Sequence, residues 1–511
     1  MTADILDSII EKRKKELSRT GPEMGASIPK ERRRPVTPFL PNKGVLLEIK
    51  KASPSKGDIA LDLNVPCTAE AYAKAGAAAI SVLTEKNYFK GCLGDLMAAC
   101  DAADLFSAET GQKAPAVLRK DFLIFPEEID VSYRAGADAV LLIARILDDS
   151  LAVRMIERCR ELGIAVLLEL RQDDDLRKLK VISDAIGLDN IVCGVNSRDL
   201  KDFSIDLLAP AGMLDKIREI AGQEMKVLFE SGIRSPKAAA FVGEMGFSGL
   251  LLGEAAARNP EQASEFVRAF MEGKPRANSE KWLSLAKRIH SGKLPLVKVC
   301  GLTSLHDAAL AAELGADFLG FIFSTTSPRN VNPKIIPTIN TVLNELYHAN
   351  KPKLVGIITE CNSLEAQTVM KLVAQGQLDF IQLHGSQATD LFFQLWNLPR
   401  LSVVNIDAPD DILSVETLLD QGEPRILIDA KKAGLIGGTG KTIDTDLCKM
   451  VKKKTKLWLA GGITPDNIYG IMEQLEPELI DVNSGIEKAP GIKDPEKIRA
   501  FFEQIRKWRE R

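Results

Sequence analysis

Apolar runs of strand length recur along the chain, each closing in charged or glycine residues and each followed by a stretch with helical spacing of apolar positions. The first lies in the segment VLLEIKKASPSKG, 45–57, where an apolar run ends in charge and then breaks at Ser53-Pro54-Ser55. Further runs follow at 79–84, 116–118, 139–143, 165–170, 191–195, 227–229 and 249–252. Strands that are apolar throughout belong to parallel sheets covered on both faces, and strand–helix alternation repeated eight times predicts a closed (β/α)8 TIM barrel. The rhythm lapses between about 268 and 294 and then resumes, with runs at 296–300, 318–323, 354–358, 380–383, 401–405, 426–428, 457–460 and 480–482. The expected architecture is therefore α/β, with two TIM barrels in tandem: 1–270, a linker at 271–294, and 295–511. Apolar positions Ile5, Ile9, Ile10 and Leu17 predict an extra helix ahead of the first strand, placed to cap a barrel end. A GAD turn occurs in both halves, at 136–138 and 315–317, consistent with related units or with shared loop chemistry.

Composition narrows the function classes. With 511 residues, 45% of them hydrophobic, the chain can bury large cores, and a formal net charge of −3 does not suggest a nucleic-acid surface. No apolar run is long enough to span a membrane, and the N-terminus has no apolar core of a secretory signal. Eight scattered cysteines without a CxxC pair fit a cytoplasmic protein without disulfides. Four histidines, none at metal-ligand spacing, favour an enzyme with neither metal nor cofactor. A monomer is the working expectation.

Barrel enzymes keep their chemistry at the C-terminal ends of the strands. In the first half these ends carry Glu48, Lys50 and Ser53, then Lys120 and Asp121, Glu169, Asn196 and Arg198, Glu230, Ser231 and Gly232, and Gly253 and Glu254. Alternation places Glu48 and Lys50 on one side of their strand. Any one of these residues could be an ordinary ion pair, but their convergence on one rim points to a site. Glycines after the last two strands leave backbone N–H groups for a phosphate. In the second half Cys300 ends the first strand and Asp429 the sixth, an acid and a base of the kind needed to move a proton from carbon to oxygen. Arg329 offers a fork for a carboxylate, and His384 ends the fourth strand. Gly437, Gly438, Thr439 and Gly440 follow the sixth strand, while Gly461, Gly462, Ser484 and Gly485 repeat the glycine-rich phosphate pattern.

EIKKASPSKG, ISVLTEKNYFKG, LRKDF, LLEL, NSRDL, ESGI and LLGEA occur in the order of the indole-3-glycerol-phosphate synthase family, which residues 1–270 resemble. VKVCGLT, SPRNV, QLHG, LIDA, GGTGKT, LAGGI and DVNSGIE resemble phosphoribosylanthranilate isomerase. The resemblance implies two steps of tryptophan biosynthesis acting on anthranilate-derived phosphosugars. It implies Lys120 as general acid, Glu169 as general base, Glu48 and Asn196 in dehydration, Lys50 on anionic substrate groups, and Phe89 and Phe122 as walls for the aromatic ring. In the second barrel it implies Cys300 as base, Asp429 as acid, Arg329 on the anthranilate and His384 in support. Crowded lysines are expected to lower one another's pKa. Arg171 departs from the first family, where a small or polar residue is expected, and Ala430 departs from the second, where a threonine is usual. Histidine-pathway isomerases would place an aspartate at the first strand end, and epimerases would need metal-ligating histidines. A non-catalytic phosphosugar-binding barrel would lack its acid or base.

Overall fold

The computed structural model describes residues 5–54, 57–198, 205–292, 294–384, 398–430 and 444–511. They form two units, 1–275 and 276–511.

The first unit is a closed barrel of eight parallel strands: Gly44–Ile49, Ala79–Leu83, Ala116–Lys120, Ala139–Ile143, Ala165–Leu170, Ile191–Asn196, Val227–Glu230 and Gly249–Leu252. The first strand pairs with both the second and the eighth, which closes the ring. Leu46, Leu118, Leu141, Leu167, Leu228 and Leu251 fill the interior, joined by Phe39 and Leu40 from the segment before the first strand. Inward leucines from both odd- and even-numbered strands make this a packed core rather than a pore.

The expected N-terminal helix forms at Ile5–Thr20. Its Leu6 and Ile9 lie against the open end of the barrel, and buried Arg13 pairs with Asp121 at 3.1 Å and with Glu128. Asp121 lines the cleft beside Lys120, with its carboxylate tied to the N-terminal helix through Arg13. Asp121 is held further by Arg119 at 3.0 Å and by the Thr84 hydroxyl at 2.6 Å.

The second unit repeats the architecture, with strands Leu296–Val299, Phe318–Ile322, Lys353–Ile358, Phe380–Leu383, Arg400–Asn405, Ile426–Asp429, Trp458–Ala460 and Leu479–Val482. A helix, Ala277–Ser291, occupies most of the stretch expected as a linker. Its Trp282 is fully buried, with ring centroids 5.6 Å from Phe380 and 5.9 Å from Trp458. Phe380 and Trp458 each open their strand, so this aromatic cluster plugs the barrel at its N-terminal end.

The GAD turns have a shared physical cause. The Asp138 carboxylate accepts from the Val117 backbone N–H at 2.9 Å, and Asp317 accepts from Val297 N–H at 2.8 Å. Asp379 does the same for Leu354 at 2.9 Å. Each aspartate ends a helix-to-strand loop and accepts from the second backbone N–H of the neighbouring strand, which favours shared loop chemistry as the origin of the echo.

Candidate active sites

In the first barrel the strand ends enclose a cleft of about 1030 Å³. Glu48, at the end of the first strand, is 1% exposed and grips two ammonium groups, Lys50 Nζ and Lys120 Nζ, each at 2.9 Å. Burial alone would raise its pKa, but the two lysines outweigh that and hold it down at about 2. Lys120 also lies 3.3 Å from Glu230 Oε2. Burial would discharge Lys120, yet Glu48, Glu230 and Glu169 together raise its pKa. The lysines' expected mutual lowering therefore fails for Lys120, because three carboxylates surround it and outweigh its neighbour.

Glu169 receives Arg171 Nε at 2.7 Å. Burial opposes its charge, but Arg171, Lys120 and a hydrogen bond from Asn196 lower its pKa. Asn196 Oδ1 accepts from the Arg198 backbone N–H at 3.0 Å, which turns its amide NH2 toward Glu169. Glu230 is the contrasting carboxyl. Burial, with the Glu169 charge adding to it, pushes its pKa up to about 7 despite Lys120. Lys50 Nζ lies 5.9 Å from the Phe89 ring centroid, and Phe89 and Phe122 stand 6.2 Å apart on the cleft wall.

A contiguous hollow is lined by Arg198, Ser231, Gly232, Arg234, Gly253 and Glu254. Two glycines here answer to crowding. A Cβ on Gly253 would lie 2.6 Å from Glu48 Oε1, and one on Gly232 would lie 2.4 Å from Ile205 while its φ is +82°. Ser231 shares that left-handed backbone at φ 72°, and its carbonyl accepts from the Ser197 hydroxyl at 3.0 Å. Ser53 lines the cleft beside Lys50. Glu48, Lys50, Ser53, Phe89, Lys120, Phe122, Glu169, Asn196, Arg198, Ser231 and Glu254 thus share one cleft, with Glu230 behind Lys120 and Gly232 and Gly253 in the adjoining hollow. The pattern of strand ends did not reveal Arg145, Leu6 or Ile9, which also line the cleft.

In the second barrel a cleft of about 1300 Å³ is lined by Cys300, His384, Asp429, Gly461, Gly462 and Ser484. Cys300 is 6% exposed. Burial pushes its thiol pKa up, while the Lys298 and Lys493 ammonium groups pull it back. Lys298, two residues earlier and on the same side of the strand, is itself buried and pairs with Asp481 at 2.6 Å. Asp429 Oδ1 and Asp481 Oδ1 are buried without a hydrogen-bond partner among the described residues, and Gln382 Oε1 is a third such acceptor. Asp481 and Gln382 both line the cleft, and neither was singled out from sequence.

Arg329 stands differently from expectation. Its guanidinium fork is engaged by Glu487, at 2.9 Å from Nε to Oε1 and 2.7 Å from Nη2 to Oε2. Glu487 is drawn further into the cluster by Lys493 at 3.2 Å. The glycine loops after the seventh and eighth strands meet backbone to backbone: a Cβ on Gly485 would lie 1.9 Å from the Ile463 carbonyl oxygen. Asn467 braces the first of them, donating to Gly462 O at 2.9 Å and accepting from Thr464 N–H at 2.8 Å. Gly437, Gly438, Thr439 and Gly440 lie outside the described residues.

Comparison with known proteins places each unit in a family. Residues 7–270 match the family model of indole-3-glycerol phosphate synthase, and residues 297–504 match that of N-(5'phosphoribosyl)anthranilate (PRA) isomerase. The TrpCF tryptophan biosynthesis protein of Yersinia pestis is 33% identical over 470 residues, covering 90% of this chain and 84% of that protein. Its Haemophilus influenzae counterpart is 30% identical over 471 residues, covering 90% and 86%. A multifunctional tryptophan biosynthesis protein of Schizosaccharomyces pombe is 32% identical over 486 residues, covering 90% of this chain but 59% of that longer protein. The chain belongs to the family of TrpCF-type tryptophan-biosynthesis proteins, in which an indole-3-glycerol phosphate synthase unit is followed by a phosphoribosylanthranilate isomerase unit.

Proposed function

We propose that the second barrel isomerises N-(5-phosphoribosyl)anthranilate to 1-(2-carboxyphenylamino)-1-deoxyribulose 5-phosphate, and that the first barrel closes this product to indole-3-glycerol phosphate with loss of carbon dioxide and water. In the isomerisation Asp429 protonates the ring oxygen of the ribose as the ring opens, and Cys300 removes the proton from carbon 2. Lys298 sits where it stabilises the thiolate that this removal requires. Gly461, Gly462, Ser484 and Gly485 hold the phosphate, His384 supports the sugar, and Arg329 takes the anthranilate carboxylate by exchanging Glu487 for it.

In ring closure Lys120 protonates the ketone oxygen as the aromatic ring attacks, and Glu169 acts as base, with Glu48 and Asn196 assisting the dehydration. Lys50 and Arg198 receive anionic groups of the substrate, Phe89 and Phe122 flank the ring, and Ser231, Gly232 and Gly253 lie at the phosphate with Glu254 beside them. The observation that carries the reading is the pairing of Lys120 with carboxylates in one rim and the presence of Cys300 and Asp429 in one cleft in the other, each built within its own unit. Side chains supply every acid and base, so neither step is assigned a metal or cofactor. Substrates are small phosphosugars, with no nucleic-acid or membrane partner, and the chain acts as a cytoplasmic monomer.

The test is to give the purified protein N-(5-phosphoribosyl)anthranilate with a metal chelator and to separate the products over time. Indole-3-glycerol phosphate is the expected end product. Accumulation of the carboxyphenylamino intermediate would overturn the first-barrel assignment, and hydrolysis alone would overturn the second.

A further inference from the structure

Arg171 is the residue at which the first barrel departs from the family it resembles, and it lies inside the cleft. Its side chain is fixed from both ends. Nε donates to Glu169 Oε1 at 2.7 Å, and Nη1 donates to the Arg198 carbonyl at 3.2 Å, so it ties the fifth strand's carboxylate to the turn after the sixth. Its own backbone N–H donates to Asp175 at 2.8 Å, which pins the start of the following helix. Glu169 is near enough to Glu230 for its charge to raise the Glu230 pKa, and Lys120 is acted on by the carboxylates of the first, fifth and seventh strands. Of Glu169 and Glu230, Glu169 alone has a guanidinium in hydrogen-bond contact among the described residues.

Ring closure expels a carboxylate as neutral carbon dioxide, so the substrate anion takes up one net proton per turnover. That proton needs a defined home in the site. Two like carboxyls with equal surroundings would share it, and the base would be blocked for part of the time. We propose that Arg171 is a positioning residue that breaks this equality: it holds Glu169 as an oriented carboxylate and assigns the site's exchangeable proton to Glu230. Burial raises both carboxyls and both feel Lys120 and Arg171, but the hydrogen bonds of Arg171 and Asn196 go to Glu169, whose pKa falls, while burial and the Glu169 charge raise that of Glu230. The other charged groups around the pair are Glu48 and Lys50 on the first strand, Arg198 after the sixth, Arg145 after the fourth and Asp175 after the fifth.

This inference rests on the ring-closing reading of the first barrel, and its test separates the two. Arg171→Gln and Arg171→Lys are compared with the wild-type chain in the pH profile of ring closure and, without substrate, in carbon-13 NMR titration of labelled glutamate carboxyls. An opposite charge at this distance lowers a carboxyl pKa by roughly 1–3 units. Arg171→Gln should therefore move the acid limb of ring closure up by about that amount, and Arg171→Lys should restore most of the shift. The NMR titration should show one glutamate titrating near neutrality in the wild type and two raised carboxyls in Arg171→Gln. A profile that superimposes on wild type, or a loss of rate equal at every pH, would overturn the proposal. Failure of the wild type to close the ring would remove the functional reading alone, since the carboxyl titration still decides what Arg171 does.

Discussion

The two barrels open on the same device with opposite contents. Each first strand places residues i and i+2 on the inner side: Glu48 and Lys50 in one, Lys298 and Cys300 in the other. In the first barrel the deep residue is an anion that collects two lysines from different strands. In the second it is a cation already neutralised by its cross-strand neighbour Asp481, leaving a thiol at the surface of the cleft. The first rim is therefore a dense ionic network, suited to a reaction that protonates a ketone, expels a carboxylate and loses water. The second is sparse, with acceptor oxygens on Asp429, Asp481 and Gln382 that have no hydrogen-bond partner among the described residues, suited to a proton shift that needs one acid and one base. What the comparison teaches is that the barrel supplies positions, and the charge at each position selects the chemistry.

The sharpest break in this contrast is Asp429→Asn, which should lower isomerisation by roughly 10²–10⁴-fold, the range of a lost general acid, while ring closure stays within experimental error. Steady-state assays with each substrate check it. Trp282→Ala should destabilise the second unit by about 3–5 kcal/mol, the usual cost of truncating a buried tryptophan, with the first unit's unfolding transition unmoved. Denaturation followed by a probe in each unit would show it.

Gly253→Ala probes the first network more gently. Its new methyl would press on Glu48 Oε1, and overpacking of about 1–3 kcal/mol should cut ring closure by roughly tenfold or more with isomerisation unchanged. The smallest effect is the difference in pH dependence. Glu230 carries a proton below about 7 and loses it above, so ring closure should decline on the alkaline side of neutrality. The Cys300 thiol is raised by burial and ionises as pH climbs, so isomerisation should rise over the same range. Parallel pH profiles of the two reactions on one preparation measure both signs.

Much of this was legible because each barrel strand is buried on both faces and reads as a short apolar run with its functional residue at the end. Glu48, Lys120, Glu169, Cys300 and Asp429 all stood at such ends. Asp121 lines the cleft as its strand-end position suggests, but its ion pair with Arg13 of the N-terminal helix could not be read from spacing. Trp282 was hidden because a helix with one buried aromatic has no distinctive spacing, and its partners Phe380 and Trp458 are about 100 and 180 residues away. The engagement of Arg329 by Glu487, and of Glu169 by Arg171, depends on loop geometry that no periodicity encodes.

The most direct measurement takes Lys120→Ala and Cys300→Ala, each shown to be folded by circular dichroism, and assays both with both substrates. Independent sites require a clean exchange: Lys120→Ala isomerises at the wild-type rate and fails in ring closure, and Cys300→Ala does the reverse. If either change silenced both reactions, or left its own reaction at the wild-type rate, the assignment of one chemistry to each barrel would be wrong.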